Sequence, residues 1–387
     1  MQKNLKIVVA SDSYKGSAST FEVNQPIAAG VKRVLPQATV KQLPVGDGGE
    51  NTARALTAAL GGEMKTVTVT GPLGMPVEAA YGLLNQGRAI VEMAQASGLT
   101  TIPTDALNPY QATTYGTGEL IKAALDDGVQ EIYVGIGGSA TNDGGLGMAQ
   151  ALGYEFKDES GQEVGYGASE IIKIKSISKR NVDPRLFKTK ITILSDVTNP
   201  LVGKNGASYV YGKQKGATED DLPLLDQLLD RFASLLQVFF KQDIRTKVGG
   251  GAAGGLGAGL MLFCGAEFCQ GVDRILDLLG IDQLLKSADL VITGEGKIDA
   301  QSLNGKAPLG IAQRAKKYGL PVIAIVGGIS GDIEKVYDHG IDLVLTTVNR
   351  PMKLKQAIGE TRSLLQSAGE TAIRSYLLGS NVKGTGV

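Results

Sequence analysis

Residues 132–145, IYVGIGGSATNDGG, run from a short apolar, β-branched segment into a turn dense in glycine, with Ser139, Thr141, Asn142 and Asp143 set among the small residues. A glycine costs roughly 0.5–1 kcal/mol relative to alanine in regular structure, so this density needs a local reason. Either the turn demands it, or something approaches the backbone very closely. The same pattern recurs along the chain: LKIVVAS leads to DSYKGS, VKQLPV to GDGGEN, ITILS to DVTNP, ADLVIT to GEGKID and PVIAIV to GGISGD. Runs of four to six apolar, β-branched residues with helical patterns between them mark parallel strands buried on both faces, which predicts an α/β fold. In such sheets ligands sit outside the carboxyl ends of the strands, where all six loops would gather.

The strand candidates divide the chain. Five of them, at 5–11, 40–45, 288–293, 321–326 and 342–347, come from the two ends and form one doubly wound lobe over 1–65 and 285–387. The segment TVTVTGPLGMPVEAAYGLLNQGRAIVEMA (66–94) alternates and turns at NQG in the manner of antiparallel hairpins, so 66–284 reads as a mixed α/β lobe inserted into the first. Helices are expected over 21–35, 49–60, 115–127 and 219–240, the last with Leu and Phe at core-packing spacing. A functional site is expected in the cleft between the lobes.

Composition narrows the function. Lys+Arg and Asp+Glu both number 39 in 387 residues, and zero formal charge gives no basis for a nucleic-acid or membrane-surface role. Cys264 and Cys269 lie in an apolar Gly/Leu/Met stretch and read as buried small hydrophobes, not as a redox or metal pair. The apolar run near the N-terminus is too short for a signal peptide or a membrane span, so a cytoplasmic protein is expected. The one histidine, His339, sits in the turn-like YDHGID, which removes histidine-based zinc sites and most Ser-His-acid schemes.

The loops carry a restricted set of polar residues: Asp12, Lys15, Asp47, Ser139, Asn142, Asp143, Asp196, Asn199, Lys213, Lys215, Glu295, Lys297 and Asp299. Carboxylates, lysines and backbone N–H groups are the parts needed to handle phosphate with Mg²⁺. No Gly-Lys pair is followed by Ser or Thr, so there is no Walker A loop, and no G-x-G-x-x-G stands in the strand-to-helix setting of a dinucleotide site. GGGAAGGLGAGL (249–260) has two readings, close helix packing or a backbone phosphate cradle.

Taken together, these loops resemble the glycerate kinases of the bacterial type that form 2-phosphoglycerate. SDSYKGS (11–17) is similar to that family's first loop, which usually has Pro at Ser11 and Phe at Tyr14. VGDGGENT (45–52) is similar to its second, usually Ala at position 46 and Gly at 51. GIGGSATNDGGLGM (135–148), DVTNPLVGKNGAS (196–208), GGGAAGGLGAGL and ADLVITGEGKIDAQSLNGKAP (288–308) follow in the family's order with hardly a change. The resemblance implies ATP- and Mg²⁺-dependent phosphorylation of D-glycerate, on a flavodoxin-like lobe with a second α/β lobe inserted.

Within that frame the residues take expected roles. Asp196, at the end of ITILS, is the first choice for the base that accepts the hydroxyl proton and Asp143 the second, although Asp196 can equally be an Asx-type cap of the DVTNP turn. Lys297 is expected to neutralise the transferred group, or else to pair at the surface; Glu295 and Asp299 are the metal candidates. Lys15 would meet the glycerate carboxylate, with Asp12, Asp47 and Ser139 around the same substrate. Gly137, Gly138, Asn142, Asn199, Lys213, Lys215, Gly254 and Gly255 are expected on ATP phosphates, though Ser139, Asn142 and Asp143 can also be read as part of a capped turn. Two rivals share the cleft: a non-catalytic sugar-acid binder, which needs no Asp196–Glu295–Lys297 set, and a dehydrogenase with an unusual glycine loop.

Overall fold

The computed structural model describes residues 4–14, 16–46, 51–299 and 307–382. Its strands, in chain order, are β1 (Lys6–Ser11), β2 (Thr39–Pro44), β3 (Glu63–Thr70), β4 (Pro76–Leu84), β5 (Arg88–Glu92), β6 (Glu131–Gly135), β7 (Glu155–Lys157), β8 (Ser176–Ser178), β9 (Lys190–Leu194), β10 (Glu267–Cys269), β11 (Leu290–Glu295), β12 (Val322–Val326) and β13 (Leu343–Thr346). They fall into two compact units: 1–47 with 272–387, and 48–271.

The first unit is built on a five-stranded sheet in the order β13-β12-β11-β1-β2, parallel throughout. Counted within the unit, that order is 2-1-3-4-5, the flavodoxin-like doubly wound arrangement, and the order reverses between β1 and β11. The β-branched runs do what their composition predicts: β11 and β12 are buried along their whole length. Val9, Val23, Ile27, Ile292, Ile325, Leu365 and Ile373 meet in one core. The helix Thr20–Val34 starts at a capping box, the Ser19 hydroxyl accepting the Glu22 N–H and the Glu22 carboxylate accepting the Ser19 N–H.

The second unit carries a six-stranded sheet in the order β10-β9-β6-β5-β4-β3. β3, β4 and β5 form an antiparallel meander, whereas β5, β6, β9 and β10 run parallel. The turn read at NQG lies between β4 and β5, with positive φ at both Gln86 (65°) and Gly87 (67°), as a primed hairpin turn requires. Helix Asp221–Phe240 buries Leu222, Leu225, Leu229, Phe232 and Leu236 at helical spacing, and Phe156, Phe232 and Phe263 meet in tilted and edge-to-face contacts in the same core. A short antiparallel pair, β7-β8, completes the unit.

The unit junctions fall at 47/48 and 271/272, where the sequence placed them at 65/66 and 284/285. Tertiary packing accounts for the difference: the helix Thr52–Ala59 lies against β3, β4 and β5 of the inserted unit, and the helix from Gly271 to Leu278 packs its Val272 against Gly310 of the first. Both cysteines are free, Cys264 buried and Cys269 half-buried, and burial pushes the Cys264 thiol well above its ordinary range. His339 ends the helix Glu334–Asp338 in a half-buried position. Among the described residues no helix is long and apolar enough to cross a membrane.

Candidate functional site

In the parallel-sheet unit, the carboxyl ends of β1 and β11 open at the point where strand order reverses. Asp12 follows β1, its N–H bonded to Gly294 O at 2.9 Å and its carboxylate accepting the Ser13 N–H at 2.6 Å. Glu295 closes β11 and is 6 % exposed; two residues on, the exposed Lys297 reaches Asp299 at 3.2 Å. These side chains line one cavity of about 450 Å³ together with Ser17, Thr347, Val348, Leu354 and Ile358. Lys15 and Asp47, both expected at the substrate, lie outside the described residues.

The carboxylate oxygens of Glu295 and Asp299 are the hard donors Mg²⁺ takes, and that ion needs only one or two of them beside waters and phosphate. The donor set therefore fits Mg²⁺. Among the described residues no three His, Cys, Asp or Glu side chains converge into an all-protein metal cage.

In the inserted unit, the loop after β6 answers the question its glycines raise. Gly144 and Gly145 take positive φ (65° and 81°), and the neighbouring glycine-rich segment packs backbone to backbone on them: a Cβ on Gly254 would stand 1.9 Å from Thr141 O. Gly254 O accepts the Gly144 N–H at 3.0 Å, and a Cβ on Gly255 would meet Gly144 Cα at 2.8 Å. Close packing of two glycine-rich loops, the first of the two readings of 249–260, accounts for Gly254 and Gly255. Gly137 and Gly138 differ, being half-buried and exposed at the mouth of the loop, while Ser139 is 7 % exposed.

Asp143 is fully buried and accepts four hydrogen bonds, from the Thr114 N–H (2.9 Å) and hydroxyl (2.8 Å) and from the N–H groups of Gly145 (3.1 Å) and Gly147 (3.2 Å). Burial raises its carboxyl above the usual range, and those four donors pull it part of the way back. It thus holds the start of the helix Leu146–Ala151 to the turn before helix Tyr115–Asp126. Lys215 is 1 % exposed, with its ammonium on Thr141 O at 2.7 Å; burial pulls its pKa down to about 7, against the charge of Asp143. The phosphate contact expected for Lys215 gives way to an interior position.

The expected phosphate ligands Asn142, Asn199 and Lys213 are likewise engaged with protein. The Asn142 amide donates to Ser208 Oγ at 3.0 Å. Asn199 donates to Asn205 O at 2.9 Å and accepts from the Tyr211 hydroxyl at 2.9 Å. Lys213 pairs with Glu219 at the surface. Asp196, by contrast, is half-buried at the end of β9, where its carboxylate accepts the N–H of Gly271 at 3.0 Å.

Two residues escaped the sequence reading. Glu92, at the end of β5 and 2 % exposed, accepts the N–H groups of Asn51 (3.2 Å) and Ala53 (2.6 Å) and so anchors the end of the second loop motif; its signal was a lone carboxylate closing the apolar run AIVE. Tyr14, at a family Phe position, is buried and donates its hydroxyl to Ile325 O at 2.7 Å.

Comparison with known proteins agrees with this architecture over the whole length. The sequence profile described as "Glycerate kinase family" matches residues 7–377. A glycerate kinase of Halalkalibacterium halodurans is 46 % identical over 363 residues, covering 94 % of this chain and 96 % of the relative. A glycerate 2-kinase of Escherichia coli is 45 % identical over 354 residues, covering 91 % and 93 %. A crystal structure from Salmonella typhimurium LT2, described as a candidate glycerate kinase 2, is 43 % identical and superposes with a TM-score of 0.88 over 98 % of this chain and 100 % of that one. With the family profile spanning residues 7–377 and relatives at 45–46 % identity over more than nine-tenths of the chain, the chain belongs to the glycerate kinase family.

Proposed function

We propose that this chain transfers the terminal phosphoryl group of ATP to the 2-hydroxyl of D-glycerate, giving 2-phosphoglycerate and ADP. The observation that carries the reading is the family match across residues 7–377, with relatives named glycerate kinase at 44–46 % identity. The relative named glycerate 2-kinase supports the 2-position.

In the reaction the glycerate O–H bond breaks, an O–P bond forms, and the bridging P–O bond breaks with its electron pair leaving on ADP. The released proton needs an acceptor within hydrogen-bond reach. Asp196 is that acceptor: its half-buried carboxylate stands at a strand end, where it accepts the N–H of Gly271, whereas the rival Asp143 is fully buried. Lys297, exposed beside Asp299, offsets charge on the transferred group. Asp12, Lys15 and Asp47 bind and orient glycerate, and Gly137, Gly138 and Ser139 present backbone donors at the open end of their loop. Glu295 and Asp299 would hold Mg²⁺, which supplies charge neutralisation for the phosphoryl group.

The test is to mix the protein with Mg-ATP and D-glycerate, follow ADP, and take the proton-coupled phosphorus NMR spectrum of the product. A doublet, from phosphorus on a carbon bearing one hydrogen, is expected; a triplet would move the reaction to the 3-hydroxyl, and no ADP would remove the kinase reading.

A further inference from the structure

The cavity at the strand-order reversal is larger and more apolar than glycerate requires. It measures about 450 Å³, in the range of sites that enclose a drug-sized ligand. Beside the charged group of Asp12, Lys297 and Asp299 it carries an apolar wall: Val348, Leu354 and Ile358 are 37 %, 76 % and 40 % exposed. A three-carbon hydroxyacid has no surface to place against such a wall. An aromatic heterocycle linked to a chain of phosphates has both halves.

The inserted unit points the same way in part, since Gly137 and Gly138 stay open at their loop while the side chains expected on the nucleotide there are taken up by protein. Of the residues the sequence suggested for ATP there, Asn142, Asn199, Lys213 and Lys215 are bonded to protein groups, and Gly254 is packed on Thr141. The flavodoxin-like strand order adds a positional argument, because such sheets take their ligands outside the carboxyl ends at the reversal of strand order.

We propose that this cavity in the parallel-sheet unit binds the nucleoside end of the phosphoryl donor, with the base on Val348, Leu354 and Ile358 and the phosphates directed to Lys297. The proposal rests on the kinase reading for the identity of the donor. It moves the nucleotide away from the residues the sequence suggested for it and leaves Asp12 and its neighbours at the end where phosphate and acceptor meet.

The experiment uses the full chain with the double substitution Leu354→Asp/Ile358→Asp, and as a control the conservative Leu354→Met/Ile358→Val. Calorimetric titration with Mg-ADP, with no glycerate present, is expected to show binding weakened about tenfold or more in the acidic variant and within about threefold of wild type in the conservative one. In steady-state assays the KM for ATP rises while that for glycerate stays within about twofold. Both wall residues are solvent-facing, and an unchanged melting temperature shows that the fold is intact. If Mg-ADP binding is unchanged in the acidic variant, or if only the KM for glycerate rises, the proposal is overturned while the glycerate kinase reading stands. If the chain fails to phosphorylate glycerate yet the variant loses Mg-ADP affinity, the kinase reading for glycerate falls and the nucleoside site is supported. Absence of Mg-ADP binding to the wild-type chain overturns the proposal as well.

Discussion

Lys215 makes the stability of this protein depend on pH above neutrality. Its ammonium is fully buried, touches Thr141 O, and has its pKa drawn from the ordinary 10.5 to about 7. In the unfolded chain the same amine titrates near its ordinary value. Between about pH 7 and 10 the unfolded state therefore binds one more proton than the folded state, and stability rises with pH. Each pH unit in that window contributes about 1 kcal/mol, and the full span amounts to a few kcal/mol, a cost carried in full below the folded pKa and gone above the unfolded one. Lys215→Met removes the titration while keeping an unbranched side chain of similar length. Urea unfolding of both proteins, followed by far-UV circular dichroism at pH 7.0, 8.0 and 9.0, isolates the contribution as a difference. The stability of wild type relative to Lys215→Met is expected to improve by about 1 kcal/mol per pH unit across the series. Because the substitution also removes a hydrogen bond and a positive neighbour of Asp143, the offset between the two proteins carries no weight here; the slope does. Parallel pH profiles from 7 to 9 would refute the reasoning, since they require an amine that keeps its ordinary pKa and hence its access to water.

Three further outcomes are expected. Asp196→Asn should lower kcat by roughly 10²–10⁴ fold with a nearly unchanged melting temperature, because the amide keeps the bond to the Gly271 N–H and cannot take the proton; more than about a third of wild-type turnover would place the base elsewhere. Gly254→Ala should destabilise the inserted unit by about 3 kcal/mol or prevent its folding, since the new Cβ meets Thr141 O at 1.9 Å at a positive φ; a shift below about 0.5 kcal/mol in urea unfolding would mean the two loops are not in contact. Tyr14→Phe should cost about 1 kcal/mol in urea unfolding through the lost bond to Ile325 O and leave both KM values near wild type, and a change in KM without a loss of stability would put the hydroxyl at the substrate instead.

The strands and their class are set by local sequence. LKIVVAS, ADLVIT and PVIAIV are β-branched runs too short for helices and too apolar for an exposed face, and they became β1, β11 and β12 within one or two residues of the expected bounds. The NQG turn was legible for a similarly local reason, because consecutive positive φ angles favour glycine and its neighbours. Loops at strand ends followed from the strands, and the family followed from motifs in order. How buried the loop residues are, and what they bond to, follows from the tertiary contacts. Asp143 and Asp196 each stand after a β-branched strand of the same sheet, yet one is buried under four donors and the other stays half-buried with its carboxylate on Gly271. Lys213 and Lys215 are two residues apart, and one pairs with Glu219 at the surface while the other is enclosed against a carbonyl 74 residues away in sequence. Gly254 reads alike as a phosphate cradle or as packing until Thr141 is seen against it. The physical reason is common to all of these: strand formation is set by neighbours in sequence, whereas the solvent exposure, hydrogen-bond partners and pKa of a polar side chain are set by groups that only the folded chain brings into contact.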